Sequence, residues 1–344
     1  MTEVSLAARR KESTNARKWK KRSQSMTVGI LGAGAFGTSL SIALSSSNEK
    51  LILWTQNHDI FNSVQKLREN QLRLPGYILP QTIIVTNDIN KIRECSIVLI
   101  AVPMQKLRSL VEAHALILKG KILVACCKGF ELLTGLGSTS ILEIASTKTA
   151  ILTGPSFASD LASGFPTALT IASKVEGLAQ YIQKELGSEV LRLYWSDDPI
   201  GAELGGALKN VVAIGCGVTI GAGYGSSSRA ALMTRGYSEI LSVAPYFGAK
   251  LETLSGLSGL GDLSLTCMSS ESRNYRYGLA LGKQQSFDKN ITVEGASTSS
   301  AVILKAKEFK IDTPVMAAIN NLVTGQTSLK QAIQSLLSRP QRQE

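Results

Sequence analysis

A chain of 344 residues, 44% hydrophobic and 18% charged, has the balance of a globular protein and excludes a disordered or fibrous one. Its length buries a substantial core and exceeds one ordinary small domain, so two domains are expected. The formal charge of +11 suggests nucleic acid until it is located: Arg9, Arg10, Lys11, Arg17, Lys18, Lys20, Lys21 and Arg22 stand against only Glu3 and Glu12, so six of the eleven surplus charges lie in residues 1–25. The rest of the chain is mildly basic, and no specific nucleic-acid partner is expected of it.

Residues 1–25 read as a basic, disordered tail or as sequence ahead of a later start at Met26. An arm for anionic ligands and a basic transit peptide are the alternatives, and no apolar run follows that would direct secretion. From Thr27 to Leu31 runs a short β-branched, apolar segment, followed by the turn Gly32-Ala33-Gly34-Ala35-Phe36-Gly37, a helical pattern through Leu44 and a second strand Leu51–Trp54. Strand, glycine turn, helix, strand is the start of a doubly wound parallel sheet. Further apolar runs at Ile83–Thr86, Ile97–Val102, Ile122–Cys126, Ala150–Leu152 and Thr167–Ala172 read as strands buried on both faces.

After Trp195 the texture becomes helical, with stretches at Pro199–Val218, Ala230–Ala244, Tyr275–Gly282, Ser297–Phe309 and Pro314–Val323 and a Gly-rich loop at Ser255–Gly261. Leu204–Ala222 is long and apolar enough to suggest a membrane span. Lys209, Asn210 and many small residues within it favour a buried core helix instead, so no membrane span is expected. The expected fold is α/β, a Rossmann-like doubly wound sheet over 26–197 followed by an all-helical domain over 198–338.

The turn Gly32–Gly37 meets the context that a dinucleotide-binding GxGxxG needs, since it follows a strand and opens a helix. Gly32 makes the tight turn, Gly34 lets the backbone approach a pyrophosphate, and Gly37 allows close helix–strand packing. The helix N-terminus supplies free N–H groups for phosphate. At the end of the second strand stands Trp54-Thr55-Gln56-Asn57-His58 with no carboxylate, which removes the group that repels a 2′-phosphate, so NADPH is allowed beside NADH. Arg73 reaches back to this tip or stacks on adenine, or is a solvated loop arginine.

Two lysines occupy unusual places. Lys128 follows a strand at the carboxyl edge of the sheet, and Lys209 lies in an apolar helix, where burial depresses its pKa and allows proton exchange near neutral pH. Either alone is as readily a snorkelling structural lysine. Gly154-Pro155-Ser156-Phe157-Ala158 offers small residues and backbone N–H groups after another strand, and Gly259-Leu260-Gly261-Asp262 sets a lone carboxylate on a glycine loop. Asp262 reads as an ion-pair partner for a catalytic lysine or as a helix cap. Ser272-Arg273-Asn274 bunches donors suited to a phosphate. Cys95, Cys126, Cys127, Cys216 and Cys267 are an odd set in apolar surroundings, without zinc-site spacing, and His58 and His114 are too few and too far apart for a metal site. No metal is expected, and the cysteines read as reduced core thiols of a cytoplasmic protein.

In chain order the blocks GAGAFGTSL, LWTQN, LPGYILP, AVP, CCKGFE, GPSFA, GGALKNVVAIG, AALMTRG, GLSGLGDLSLTC, SRNYRYG and VEG resemble the bacterial NAD(P)-dependent glycerol-3-phosphate dehydrogenases, over about Thr27 to Arg339. The resemblance implies that Ala35, Phe36, Gln56, Arg73, Lys128, Ala158, Arg273, Thr292 and Glu294 lie against the dinucleotide. It implies that Lys128, Gly154, Ser156, Lys209, Asp262, Ser272, Arg273 and Asn274 meet a small phosphorylated substrate, with Lys209, Lys128 and Asp262 as the catalytic set. It also implies a homodimer that reduces dihydroxyacetone phosphate to sn-glycerol 3-phosphate for phospholipid synthesis. The chain departs from the pattern at Ser226-Ser227-Ser228-Arg229, at Thr292 and at Ala296, which touches the rim of the site rather than the lysine chemistry. Two other readings stand beside it: a β-hydroxyacid dehydrogenase of similar architecture, and a non-catalytic redox sensor that binds the dinucleotide.

Overall fold

The computed structural model describes residues 27–46, 50–289 and 291–337. The basic segment 1–25 and the end of the expected second domain lie outside the described residues. The chain divides into two compact units. Among the described residues, one holds the chain up to Cys127, then Thr139–Leu152 and Ser156–Pro199; the other holds Lys128–Ser138, Thr153–Pro155 and the chain from Ile200 onward.

The first unit is built on an eight-stranded sheet. Its strands in chain order are β1 Thr27–Leu31, β2 Lys50–Trp54, a small antiparallel pair β3 Glu69–Asn70 and β4 Leu74–Ile78 outside the main sheet, then β5 Ile83–Thr86, β6 Ile97–Ile100, β7 Ile122–Ala125, β8 Thr149–Thr153, β9 Thr167–Ala172 and β10 Leu191–Ser196. The spatial order is β10-β9-β8-β7-β6-β1-β2-β5. The pairs β10–β9, β8–β7, β7–β6, β6–β1, β1–β2 and β2–β5 run parallel. Strands β6, β7 and β8 are buried at every position, which is why they read as unbroken apolar runs. Strand β10 ends the sheet, and exposed residues alternate with its buried Leu191 and Leu193. β1 lies between β2 and β6, so the strand order reverses there, and the crevice beyond the carboxyl ends of these strands is where open α/β sheets bind ligands.

The second unit is helical: Pro199–Gly221, Ser226–Phe247, Leu251–Ser255, Asp262–Met268, Arg273–Gly282, Glu294–Phe309, Pro314–Val323 and Leu329–Leu337. Leu204, Leu208, Val211, Val212 and Ile214 of the first helix are wholly buried in its core. That helix is the one described element long and apolar enough to cross a bilayer, and 89% of its most apolar window is buried inside the protein. The buried Glu239 carboxylate accepts the backbone N–H groups of Val315 at 2.6 Å and Met316 at 3.0 Å, satisfying orphan donors at the start of the Pro314–Val323 helix. The stretch Ser255–Gly261, expected as a loop, instead closes a single π-turn over Leu257–Gly261. The turn packs too tightly for a side chain at Gly259, where a Cβ would fall 1.9 Å from the carbonyl oxygen of Leu254.

Candidate active site

In the first unit the turn after β1 is shaped by what its glycines exclude. Gly32 has φ +109°, and a Cβ there would lie 2.6 Å from the carbonyl oxygen of Ala101; at Gly37 it would lie 2.0 Å from that of Gly32. Backbone packs on both. Gly34 differs, for nothing lies within 4 Å of the space its Cβ would take. The helix that follows, Ala35–Ser45, has no side-chain cap and no acid in its first turn, so its free N–H groups and positive end face no competing carboxylate. An open glycine at an uncapped helix N-terminus fits the pyrophosphate of a nicotinamide dinucleotide.

Ala35 and Phe36 are half-buried, and Phe36 also packs against the core of the sheet. At the tip of β2, Thr55 is buried and Gln56 is exposed, while Asn57 is taken up as a helix cap, its Oδ1 accepting the Ile60 N–H at 2.9 Å. Arg73 is exposed in the β3–β4 connection, and its backbone N–H donates to Asn70. Ser156 and Ala158 are half-buried just before and at the start of the Ala158–Ala162 helix.

In the second unit a single carboxylate joins the two unusual lysines. Asp262, wholly buried, accepts from Lys209 Nζ on Oδ1 and from Lys128 Nζ on Oδ2, each at 2.6 Å. Lys128 also donates to the carbonyl oxygen of Gly154 at 3.3 Å, and Lys209 to Thr266 Oγ1 at 2.5 Å. The Thr266 hydroxyl in turn donates to the Asp262 carbonyl at 2.6 Å, one helical turn back. Two of the three protons of each ammonium are thus held by described partners. The Lys209 side chain is 7% exposed and that of Lys128 18%. Burial pulls the Lys209 pKa down to about 8, against the raising influence of Asp262 and with further lowering from Lys128.

The Ser272-Arg273-Asn274 stretch is arranged differently from a simple row of donors. Ser272 Oγ caps the Arg273–Gly282 helix by accepting the Tyr275 N–H at 3.2 Å, and Asn274 Oδ1 accepts the Gly295 N–H at 2.9 Å. Arg273 is half-exposed and 4.0 Å from Glu294. A Cβ on Gly295 would lie 2.5 Å from the Asn210 carbonyl and 2.9 Å from Asn274 Oδ1, so this stretch packs against the residue next to Lys209. Thr292 is exposed ahead of the Glu294–Phe309 helix.

The structure therefore gathers Lys128, Gly154, Lys209 and Asp262 into one cluster, brings Asn274 to Gly295 and Arg273 to Glu294, and leaves Ser272 as the cap of its own helix. It sets Ala35, Phe36, Gln56, Arg73, Ser156 and Ala158 in the first unit. Composition and motifs single out neither Thr266 nor Asn210. Thr266 stands four residues after Asp262, the spacing that puts both on one helical face. Among the described residues no group of His, Cys, Asp and Glu could hold a metal ion, and the five cysteines are buried thiols outside any disulfide.

A buried lysine of lowered pKa with an anchoring carboxylate, in a chain that also carries a dinucleotide turn, defines the class of NAD(P)-dependent dehydrogenases. Residues 27–179 match the N-terminal region, and residues 198–334 the C-terminal region, of NAD-dependent glycerol-3-phosphate dehydrogenase. Relatives named as NAD(P)+ glycerol-3-phosphate dehydrogenases share 48% identity over 321 residues in Ruegeria sp. strain TM1040 and 50% over 321 residues in Roseobacter denitrificans; each alignment covers 93% of this chain and 100% of the relative. The crystal structure of glycerol-3-phosphate dehydrogenase from Coxiella burnetii superposes with a TM-score of 0.84 at 32% identity, covering 92% of this chain and 99% of that one. The chain belongs to the NAD(P)-dependent glycerol-3-phosphate dehydrogenase family.

Proposed function

We propose that the protein catalyses the reversible reduction of dihydroxyacetone phosphate to sn-glycerol 3-phosphate with NADPH or NADH. The observation that carries this reading is the shared carboxylate: Asp262 holds both Lys209 and Lys128 in a buried cluster. A nicotinamide dinucleotide, when bound, would supply the hydride for reduction and take it up in the reverse direction. On the first unit Gly32, Gly34 and Gly37 would shape its phosphate turn, with Ala35, Phe36, Gln56, Arg73 and Ala158 as further contacts; Lys128, Arg273, Thr292 and Glu294 are the residues of the second unit that the family resemblance assigns to it.

Lys209 donates a proton to the C2 oxygen as it becomes an alkoxide, and in the reverse direction its neutral amine removes the hydroxyl proton. A pKa near 8 serves both directions close to neutral pH. Lys128 stabilises the negative charge that develops on the same oxygen. Asp262 positions both ammonium groups, and Thr266 fixes the rotation of Lys209. Arg273 and the Asn274 amide hold the phosphate end, with Ser272 and Gly154 completing the substrate surface of this unit. Asn274 brings Nδ2 to this task because its Oδ1 is taken by Gly295.

Residues 26–197 then carry the dinucleotide and 198–338, with Lys128 and Gly154, the substrate chemistry. The proposal extends to a homodimer in the cytoplasm that supplies glycerol phosphate to phospholipid synthesis. Purified protein is assayed for NADPH and NADH oxidation with dihydroxyacetone phosphate and with the keto forms of 3-hydroxy acids, and Lys209→Ala is titrated with dinucleotide. Turnover of the phosphate alone, lost by orders of magnitude in Lys209→Ala with dinucleotide affinity retained, supports the reading. Turnover of the carboxylates, or no turnover of either, rejects it.

A further inference from the structure

Asn70 is fully buried at the end of β3, and every hydrogen-bonding atom of its side chain has a partner. Nδ2 donates to the Ala33 carbonyl at 3.0 Å and to Thr38 Oγ1 at 2.8 Å. Oδ1 accepts the Arg73 backbone N–H at 3.2 Å, which fixes the orientation of the amide because an N–H faces one end and two acceptors the other. Both Nδ2 partners belong to the dinucleotide turn: Ala33 lies between its first two glycines, and Thr38 follows its last.

The bond to Ala33 has a geometric corollary. In a trans peptide the C=O and the following N–H point to opposite sides, and the Ala33–Gly34 peptide is not cis. Pinning the Ala33 carbonyl toward Asn70 therefore turns the Gly34 N–H away from it, at the residue whose missing side chain leaves open space. Without that bond, rotation of the peptide plane would present a carbonyl oxygen, which repels phosphate.

We propose that Asn70 is a positioning residue for the dinucleotide, holding the Ala33–Gly34 peptide with its N–H available to the pyrophosphate and tying the Arg73 connection to the same turn. The inference rests on the dinucleotide assignment of that turn made under the proposed function. Because the pyrophosphate is common to both cofactors, Asn70 governs how tightly either is held and not the choice between them.

The test measures fluorescence titrations of the full chain with NADPH and with NADH, alongside steady-state kinetics and thermal melting. Asn70→Asp keeps the size and the acceptor for Arg73 but replaces the two donors with a carboxylate oxygen. It is expected to weaken both dinucleotides at least tenfold and by the same factor within about twofold, raising the cofactor KM in step while kcat at saturating cofactor stays within about threefold. A purely structural Asn70 would lower the melting temperature and leave the dissociation constants of the folded protein unchanged, and that outcome overturns the proposal. So does a loss confined to NADPH, which would put the effect at the 2′-phosphate. If Asn70→Asp does not fold, Thr38→Val decides: it removes one acceptor at matched volume, and a rise of threefold or more in both dissociation constants supports the proposal, while no change rejects it. A wild-type chain that binds neither dinucleotide instead sinks the assignment of the turn itself.

Discussion

Asp262 and Lys209 meet at 2.6 Å with the carboxylate wholly buried, and the other oxygen of Asp262 is held by Lys128. One negative charge therefore stands between two positive ones in a region that water scarcely enters. Burial alone works against a protonated Lys209, and Asp262 offsets part of that cost. The relation sets the behaviour expected of its variants.

Asp262→Asn removes the charge and keeps the shape. The raising influence on Lys209 is lost, so its pKa falls below about 8 while that of burial and of Lys128 persists. Reduction of dihydroxyacetone phosphate is expected to fall by about 10²-fold or more, the range for loss of a positioned general acid. Its pH profile should move to lower pH, read from kcat between pH 5 and 10.

With Lys209 as the proposed proton donor, the pH dependence should have opposite signs in the two directions. Reduction is expected to fall as pH rises through about 8, where the ammonium is lost, and oxidation of glycerol 3-phosphate to rise through the same point, read from kcat in each direction. Stability follows by linkage. The folded value lies below that of the unfolded lysine, roughly 10.4, so between about 8 and that value the unfolded chain binds more protons. The Lys209 contribution to stability therefore rises with pH across this window, and the cost of burying its charge is fully present below about 8. Denaturant unfolding of the wild type and of Lys209→Met across pH 7 to 10 checks this, since the wild type should gain stability relative to the variant in that direction.

Two neighbouring glycines should separate ligand binding from folding. Gly34→Ala meets no protein atom and is expected to leave the melting temperature nearly unchanged while weakening dinucleotide binding about tenfold or more. Gly37→Ala meets backbone at 2.0 Å and should lower stability by about 1–3 kcal/mol, as overpacking does, measured by denaturant titration without ligand.

Glu239→Ala leaves the Val315 and Met316 N–H groups without their carboxylate inside the protein. A destabilisation of about 2–4 kcal/mol is expected, from lost charge-assisted hydrogen bonds and buried donors left unpaired. Thermal melting reports it, and the cofactor dissociation constant should not change.

Much of this was legible in the sequence where burial and chemistry coincide. β1, β5 and β9 stand as read because their apolar runs end sharply at turn residues, and the helix Pro314–Val323 begins at a proline suited to its first turn. β10 carries no unbroken apolar run because an edge strand exposes alternate residues, and the β3–β4 pair is masked by Pro75 and Gly76, which look like a plain turn. Lys128, Lys209 and Asp262 were visible as charges out of place. Their convergence was not, since Asp262 lies 134 residues from Lys128, and no local pattern encodes such a contact. The secondary duties of Ser272 and Asn274 as a cap and as the partner of Gly295 were equally hidden, because they depend on which backbone groups the helices leave unsatisfied.

The helical unit does not begin where the last crossing of the chain does. It borrows Lys128–Ser138 and Thr153–Pro155 from within the stretch that otherwise builds the sheet unit. Lys128 and Gly154, which complete the cluster around Asp262, arrive on those two short loans. A fragment cut at residue 198 would keep Lys209, Asp262 and Thr266 yet leave Asp262 with an oxygen facing no lysine. Dissection by a single cut therefore yields a bundle whose buried carboxylate keeps one of its two lysines, and exchange of helical halves between homologues has to carry three segments, not one.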